Sequence, residues 1–201
     1  IHIRELSRSN FENEALTQSS QGVIARAAPL NEYTLEQLAR PIEGPGGTTP
    51  PFLLALDSVT DPGNLGAMLR TAECAGVTGV LLPRHRAARL TPTATKSAAG
   101  AIEHLPMAVV SGIAGALSNL SELGVWSVGL DGGAERSVWD MDLADQPLVL
   151  VMGAEGSGLS RLVGERCDAL VRIPLAGALG SLNVASAAAV AMYEVVRRRG
   201  E

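Results

Sequence analysis

The chain has 201 residues, of which 46% are hydrophobic and 18% charged, and its formal net charge is −5. A chain of this length and composition can bury a substantial core, which excludes a disordered or fibrous protein. No apolar run reaches the roughly 18 residues that a membrane span needs, and no basic segment followed by an apolar one marks an export signal. We therefore expect a globular, cytoplasmic protein without membrane association.

The positive charge is carried almost entirely by arginine. Fifteen of the sixteen cationic residues are Arg, and Lys96 is the single Lys. Arg suits planar, bidentate contacts with phosphate groups. Its clusters at 84–89 and 197–199 predict a local positive surface on an acidic body. Arginines that are simply solvated and bind no partner would give the same clusters.

The two cysteines lie within apolar segments. We expect Cys74 and Cys167 to be reduced, buried thiols rather than a disulfide. Their number and spacing indicate no zinc site, and no metal site of any kind is predicted.

Residues 1–30 contain strand and helix signals but are too short to enclose a core of their own. We expect them to be the remnant of a longer N-terminal portion of the protein. A Pro- and Gly-rich tract at 41–51 follows, so residues 31–51 are predicted to be a linker.

From Phe52 onward, apolar strands alternate with segments of helical periodicity. Strands are predicted at 52–56, 77–82, 125–130, 148–152 and 169–173, and helices at 65–75, 93–100, 113–123, from 160, and at 183–199. Fully apolar strands alternating with helices are typical of a parallel sheet that is covered on both faces. The prediction for residues 52–201 is an α/β domain with a ligand at the carboxyl ends of its strands.

A first stretch that could carry chemistry, residues 57–72, comprises a strand end, a turn and the start of a helix. Residues 61–63 supply turn chemistry, and Asn64 is a suitable helix cap. Arg70 stands on an otherwise apolar helix. A buried Arg at that place needs an anionic partner, either a protein carboxylate or a phosphate.

The second stretch, residues 149–160, is a strand that delivers Glu155 into a Gly-rich turn. It lacks the Gly-Lys-Ser/Thr of a P-loop and the glycine spacing of a dinucleotide-binding fingerprint. These absences argue against nucleotide phosphate binding of those kinds and against a nicotinamide-dependent oxidoreductase.

The third stretch, residues 171–185, is a strand, a loop and a helix start. Ser181 or Asn183 would serve as an ordinary helix N-cap, which is the commoner role of such residues. The Ala-rich helix that follows is suited to close packing and by itself indicates core rather than function.

In this order and at these distances, the three stretches resemble the three motifs of the SpoU/TrmH family of SPOUT methyltransferases. The resemblance covers about residues 52–199. The matching positions are Asn64 and Arg70 in the first motif, Gly153, Glu155, Gly156 and Gly158 in the second, and Ser181, Leu182 and Asn183 in the third. It implies a C-terminal trefoil knot in the α/β fold, an obligate homodimer, and methyl transfer from S-adenosylmethionine to a ribose 2′-hydroxyl in structured RNA.

The resemblance also implies roles for individual residues. The implied catalytic set is Asn64, Arg70, Glu155, Ser181 and Asn183, and the implied cofactor-binding set is Leu130, Gly153, Ile173 and Leu182. Arg70 would orient the target phosphate and 2′-hydroxyl, and Glu155 would orient Arg70 or a neighbouring helix terminus. Ser181 and Asn183 would hold the 2′-hydroxyl or the end of the cofactor, and Asn64 would fix the first loop.

The segment at 21–25 resembles the end of the RNA-binding domain of family members that modify a guanosine in large-subunit ribosomal RNA. This resemblance implies that residues 1–30 are the C-terminal remnant of an N-terminal substrate-binding domain. A guanosine of 23S ribosomal RNA is therefore the expected target. One alternative is a tRNA 2′-O-methyltransferase of the same family, and another is a catalytically silent RNA-binding dimer. The joint presence of all five polar residues argues against the silent protein.

Overall fold

The computed structural model describes residues 2–15, 22–25, 30–44, 47–85 and 90–200. By its internal contacts the chain divides into two units, Ile1–Leu30 and Asn31–Glu201. Within the described residues, no helix is long and apolar enough to cross a membrane. The same residues contain no group of three or more His, Cys, Asp or Glu side chains placed to hold a metal ion.

The first unit contains the helix α1 (Arg8–Glu14), which begins at Ser7, whose side chain accepts a hydrogen bond from the N–H of Asn10. Of the predicted strand and helix, the helix is present, and residues 2–15 and 22–25 include no strand. Gln21, the first residue of the segment that resembles an RNA-binding domain, lies outside the described residues.

The second unit alternates strands and helices. Its helices are α2 (Leu35–Leu38), α3 (Pro62–Cys74), α4 (Pro92–Ala98), α5 (Ile113–Glu122), α6 (Arg161–Arg166) and α7 (Val184–Arg199). Its strands are β1 (Ile42–Gly44), β2 (Gly47–Thr49), β3 (Phe52–Leu56), β4 (Gly79–Pro83), β5 (Met107–Val110), β6 (Trp126–Leu130), β7 (Arg136–Ser137), β8 (Leu148–Met152) and β9 (Ala169–Arg172). Single 3-10 turns occur at Ala101–Glu103 and Val138–Asp140.

The main sheet has the strand order β5-β4-β3-β8-β6-β9-β7. All neighbouring strands in it are parallel, and Leu53 and Ala55 of β3 lie beside Val149 and Val151 of β8. The predicted parallel α/β fold is confirmed. The order also shows that β8 inserts between β3 and β6, two strands that precede it in the chain. The trefoil knot and the domain bounds stay predictions.

The core lies on both faces of this sheet, because β3 and β8 are buried along their whole length. On one face, α2, α5 and α6 cover a cluster that includes Leu53, Leu81 and Leu117. Helix α3, which packs against both α4 and α7, lies on the other side. The expectation of continuous apolar strands between two helical layers is met at these positions.

Residues 31–51, predicted from composition as a linker, contain α2 and the antiparallel hairpin of β1 and β2. Leu38 is buried in the core beside Leu53. The N–H of Tyr33 donates to the carbonyl of Met107 in the edge strand β5 at 2.8 Å. Pro and Gly mark turns as readily as linkers, so composition alone does not separate the two.

The cysteines are less buried than predicted. Cys74 is exposed at the last position of α3, and Cys167 is half-buried. Burial raises the pKa of the Cys167 thiol to about 12, and the nearby carboxylates of Asp168 and Asp57 add to this effect. The prediction of two buried thiols is wrong for Cys74, because it lies off the apolar stripe of α3 that faces the core.

Candidate active site

Four strands end side by side at one edge of the sheet. The residues that follow β3, β8, β6 and β9 are Asp57, Gly153, Asp131 and Ile173. In a parallel sheet, the loops after the carboxyl ends of the strands meet at this edge and form the usual ligand site. The three sequence motifs all begin there, which is why residues far apart in the chain come together.

Three polar side chains, one from each motif, form a hydrogen-bonded network that we call the Asn-Glu-Asn network: Asn64, Glu155 and Asn183. Asn64 Nδ2 donates to Glu155 Oε2 at 3.0 Å. Asn183 Nδ2 donates to Asn64 Oδ1 at 2.9 Å and, more weakly, to Glu155 Oε1 at 3.4 Å. Side chains therefore bond the start of α3, the loop after β8 and the start of α7 to one another.

The start of α3 positions Asn64. Asp61, not Asn64, is the N-cap, since its carboxylate accepts the N–H of Asn64 at 2.7 Å, and Pro62 occupies the first turn. The predicted capping role of Asn64 is therefore wrong. With the cap supplied by Asp61, the side-chain amide of Asn64 is available to Glu155 and Asn183.

The start of α7 positions Asn183, which is its N-cap as the sequence allowed. Asn183 Oδ1 accepts the N–H groups of Ala185 and Ser186 at 3.0 and 3.3 Å. This contact fixes which end of the amide faces the helix and directs Nδ2 toward the network. The side chain is both a helix cap and a link between motifs.

The loop that carries Glu155 is closed on itself. Ala154 and Gly158 exchange two backbone hydrogen bonds of 2.9 Å each. A Cβ on Gly153 would lie 2.1 Å from the carbonyl carbon of Gly158, a separation that no side chain tolerates. Gly156 and Gly158 have φ angles of 84° and 68°, in the left-handed region that favours glycine. The glycines of the second motif are therefore required by the shape of this loop.

Two charged residues that the sequence analysis did not single out tie the loops to the sheet. Asp57 is buried and accepts the N–H of Ser160 at 2.7 Å. Arg172, at the end of β9, donates to the carbonyls of Ala134 and Glu135 at 2.6 and 2.9 Å, and so holds the loop that follows β6. The sequence could have identified both residues by their position, since each is a charged residue at the end of an apolar strand.

Arg70 and Ser181 stand apart from the Asn-Glu-Asn network. Both are exposed, and within the described part of the chain neither side chain makes a hydrogen bond or ion pair. Arg70 is therefore not buried, and of the two anionic partners considered for it, a carboxylate and a phosphate, the described part of this chain supplies no carboxylate. Glu155 instead bonds residues at the starts of two helices, the second of the two roles considered for it. The guanidinium of Arg70 remains available to an external anion.

The four residues assigned to cofactor binding surround the same edge. Leu130 ends β6 beside Val171 of β9, Ile173 follows β9, and Gly153 follows β8. Leu182, with 42% of its surface exposed, belongs to the loop between β9 and α7. Half-buried and exposed apolar side chains beside a polar network suit a small molecule with a flat, weakly polar part and a charged part.

The arginines at 197–199 are all bonded within the chain, although Arg197 keeps 67% of its side-chain surface exposed. Arg197 and Arg198 both bond the buried carboxylate of Glu194, at 2.7 and 3.0 Å, and Arg198 also donates to the carbonyl of Trp139. Arg199 donates to main-chain carbonyls and stacks over a ring of the core. In the other cluster Arg84 is exposed, while Arg86 and Arg89 lie outside the described residues.

The chain matches the model of the SpoU rRNA methylase family over residues 51–193. It is 47% identical over 182 residues to the 23S rRNA (guanosine-2′-O-)-methyltransferase RlmB of Pseudomonas putida, a match that covers 89% of this chain and 71% of that protein. It is 43% identical to RlmB of Vibrio cholerae, with 99% of this chain and 79% of that protein covered.

Among solved structures, the chain resembles the SpoU methyltransferase AviRb of Streptomyces viridochromogenes in complex with the cofactor AdoMet. The TM-score is 0.67 at 32% identity, and the match covers 74% of this chain and 60% of that chain.

Proposed function

The chain belongs to the SpoU rRNA methylase family, and we propose that it transfers a methyl group from S-adenosylmethionine to the ribose 2′-hydroxyl of a guanosine in 23S ribosomal RNA. The structural observation that carries this proposal is the Asn-Glu-Asn network, which joins the three motifs at the carboxyl edge of the sheet. The name of the 47% identical relative supports the choice of RNA and nucleotide.

The residues at this edge fit S-adenosylmethionine, which supplies an electrophilic methyl group on a sulfonium. Leu130, Ile173 and Leu182 provide apolar surface for a flat base, and the loop at Gly153 brings main chain close to the site without a side chain in between. We assign these four residues to cofactor binding. S-adenosylmethionine in complex with AviRb supports the assignment.

Within the implied catalytic set, the structure suggests a division of labour. Asn64, Glu155 and Asn183 use their polar atoms on one another, so we assign them to positioning the loops. Within the described part of the chain, the side chains of Arg70 and Ser181 make no hydrogen bond or ion pair, so we assign them to the RNA. Such positioning provides much of the acceleration, because the attacking oxygen must align with the methyl group and the leaving sulfur.

Arg70 orients the phosphate beside the target ribose and stabilises the negative charge that develops on the 2′-oxygen as its proton passes to solvent. A guanidinium stays protonated in proteins and is a poor proton acceptor, so we assign Arg70 this electrostatic role rather than that of a base. The hydroxyl of Ser181 donates to or accepts from the ribose at the same place.

We further propose that the protein is a homodimer in the cytoplasm. Trp139 and Tyr193 keep 44% and 49% of their surfaces exposed, and exposed aromatic side chains are enriched in protein interfaces. A ribosomal RNA substrate requires the compartment in which ribosomes are assembled. Sedimentation equilibrium at micromolar concentration tests the dimer, and a single species of 20.8 kDa would contradict it.

The decisive experiment is transfer of labelled methyl from S-adenosylmethionine to ribosomal RNA and tRNA pools, with nucleoside analysis of the product. We expect label in ribosomal RNA, recovered as 2′-O-methylguanosine. Label in tRNA instead would favour the tRNA-modifying alternative. A protein that binds RNA but labels neither pool would favour the silent binder and refute the proposal.

A further inference from the structure

Asp57 bonds both ends of the loop at 153–159. It follows β3 directly, and only 7% of its surface is exposed. Its N–H donates to the carbonyl of Met152, the last residue before the loop, at 2.7 Å. Its Oδ2 accepts the N–H of Ser160, the first residue after the loop, at 2.7 Å. The base of the loop is therefore closed by one residue that lies about a hundred positions earlier in the chain.

The second oxygen of this carboxylate also has a donor. The hydroxyl of Ser58 donates to Asp57 Oδ1 at 3.3 Å. Ser58 has a φ of 62°, a left-handed conformation that is uncommon for residues other than glycine. The chain thus leaves the strand in a sharp turn immediately after Asp57. Both described donors to this carboxylate, the Ser160 N–H and the Ser58 hydroxyl, are neutral. The carboxylate of Asp57 therefore holds the loop by hydrogen bonds and not through an ion pair.

We propose that Asp57 is a positioning residue for cofactor binding, because it sets the loop at 153–159 in the conformation that the cofactor requires. The inference rests on the proposed function. The loop carries Gly153, assigned to the cofactor, and Glu155, the centre of the Asn-Glu-Asn network. Release of the loop at its base would displace both, although Asp57 itself is assigned no contact with the substrate or cofactor.

Asp168 provides a matched control outside the loop at 153–159. It immediately precedes β9, and its Oδ2 accepts both the N–H and the hydroxyl of Ser127, at 2.8 and 2.6 Å. Like Asp57, it bonds one backbone N–H and one serine hydroxyl and links distant parts of the chain. Unlike Asp57, it is bonded to Ser127 and to no residue of the loop at 153–159.

The test compares Asp57→Ala, Asp57→Asn and Asp168→Ala by calorimetric titration with S-adenosylmethionine, thermal unfolding, and hydrogen exchange of residues 154–160 without cofactor. For Asp57→Ala we expect faster exchange in this loop and a Kd raised about tenfold or more, since a hydrogen bond to a charged acceptor is lost. Asp57→Asn retains an acceptor for Ser160 and should raise the Kd less. Asp168→Ala should lower the unfolding temperature and leave the Kd within about twofold of wild type.

The inference would be overturned if Asp57→Ala had the same hydrogen exchange in the loop and the same affinity for S-adenosylmethionine as the wild type. Equal losses of affinity in Asp57→Ala and Asp168→Ala would also overturn it. If Asp57→Ala does not fold, Asp57→Asn carries the test, and wild-type values of both quantities in that variant overturn it. A wild-type protein that does not bind S-adenosylmethionine would refute the proposed function instead. The exchange comparison, which needs no cofactor, would still report whether Asp57 holds the loop.

Discussion

At the amino edge of the sheet, Arg199 donates to the carbonyls of Ala144, Pro50 and Gln146 at 2.8, 3.0 and 3.0 Å and stacks over Phe52. On α3, Arg70 is exposed and bonds no side chain or carbonyl among the described residues. The same side chain type thus stabilises the fold at one position and stands available to a ligand at another. The number of arginines therefore overestimates the surface available to RNA. Whether a given arginine can bind RNA depends on the contacts that it already makes within the protein.

The largest effect expected is on catalysis. Arg70→Ala should lower the rate of methyl transfer about 100-fold to 1,000-fold, because it removes a donor to charge that develops in the transition state. The free energy of unfolding should change by less than about 0.5 kcal/mol, since the side chain is exposed. Single-turnover assays and urea denaturation measure the two quantities. Loss of stability in parallel with activity would show that Arg70 belongs to the fold.

Gly153→Ala should damage both the fold and the site. The new Cβ would lie 2.1 Å from the carbonyl carbon of Gly158 and 2.4 Å from the nitrogen of Leu159, so the loop has to move. We expect a loss of about 3 kcal/mol in the free energy of unfolding, with weaker binding of S-adenosylmethionine. The control is Gly115→Ala in α5, where nothing lies within 4 Å. Gly115→Ala should stabilise the protein by about 0.5–1 kcal/mol. A similar loss of stability in both variants would contradict the close approach of Gly153 to Gly158.

Arg199→Ala should have the opposite profile to Arg70→Ala. Removing the guanidinium leaves main-chain carbonyls at the amino edge without their donor, and we expect the free energy of unfolding to fall by about 2 kcal/mol. The rate of methyl transfer should stay at the wild-type level at temperatures where the variant is folded. Arg161→Ala is the control, since among the described residues its side chain is bonded to Glu165 alone, in a surface pair. Its effect should be below about 0.5 kcal/mol.

The sequence predicted those parts of the fold that depend on local pattern. The apolar runs at 52–56 and 148–152 form β3 and β8 with the predicted bounds. Asn64, Glu155 and Asn183 meet because the carboxyl ends of parallel strands share an edge. The partner of Glu155 was not predictable, because it depends on how α3 and α7 are rotated. The role of Asp57 depends on Ser160, the residue before α6, and the contacts of the Arg199 side chain depend on segments more than fifty positions away.

The smallest effect expected concerns pH at the end of α7. The hydrogen bond from Arg197, helped by Arg198, holds the pKa of the buried Glu194 carboxylate below its ordinary value of 4.5, against the opposing effect of burial. A carboxylate whose pKa is lower in the folded state contributes stability fully above about pH 4.5 and loses it as the pH falls through the folded-state value.

Glu194→Gln removes this titration, so the difference in free energy of unfolding between wild type and variant should be constant at neutral pH and shrink below about pH 4.5. Urea denaturation from pH 7 to pH 3 measures the difference, and Glu165→Gln on α6, whose carboxylate is more exposed, serves as the control. If this difference in free energy of unfolding stays constant down to pH 3, the charge of Glu194 does not stabilise α7. The stabilisation would then come from the hydrogen bonds that Arg198 and Arg199 donate to main-chain carbonyls.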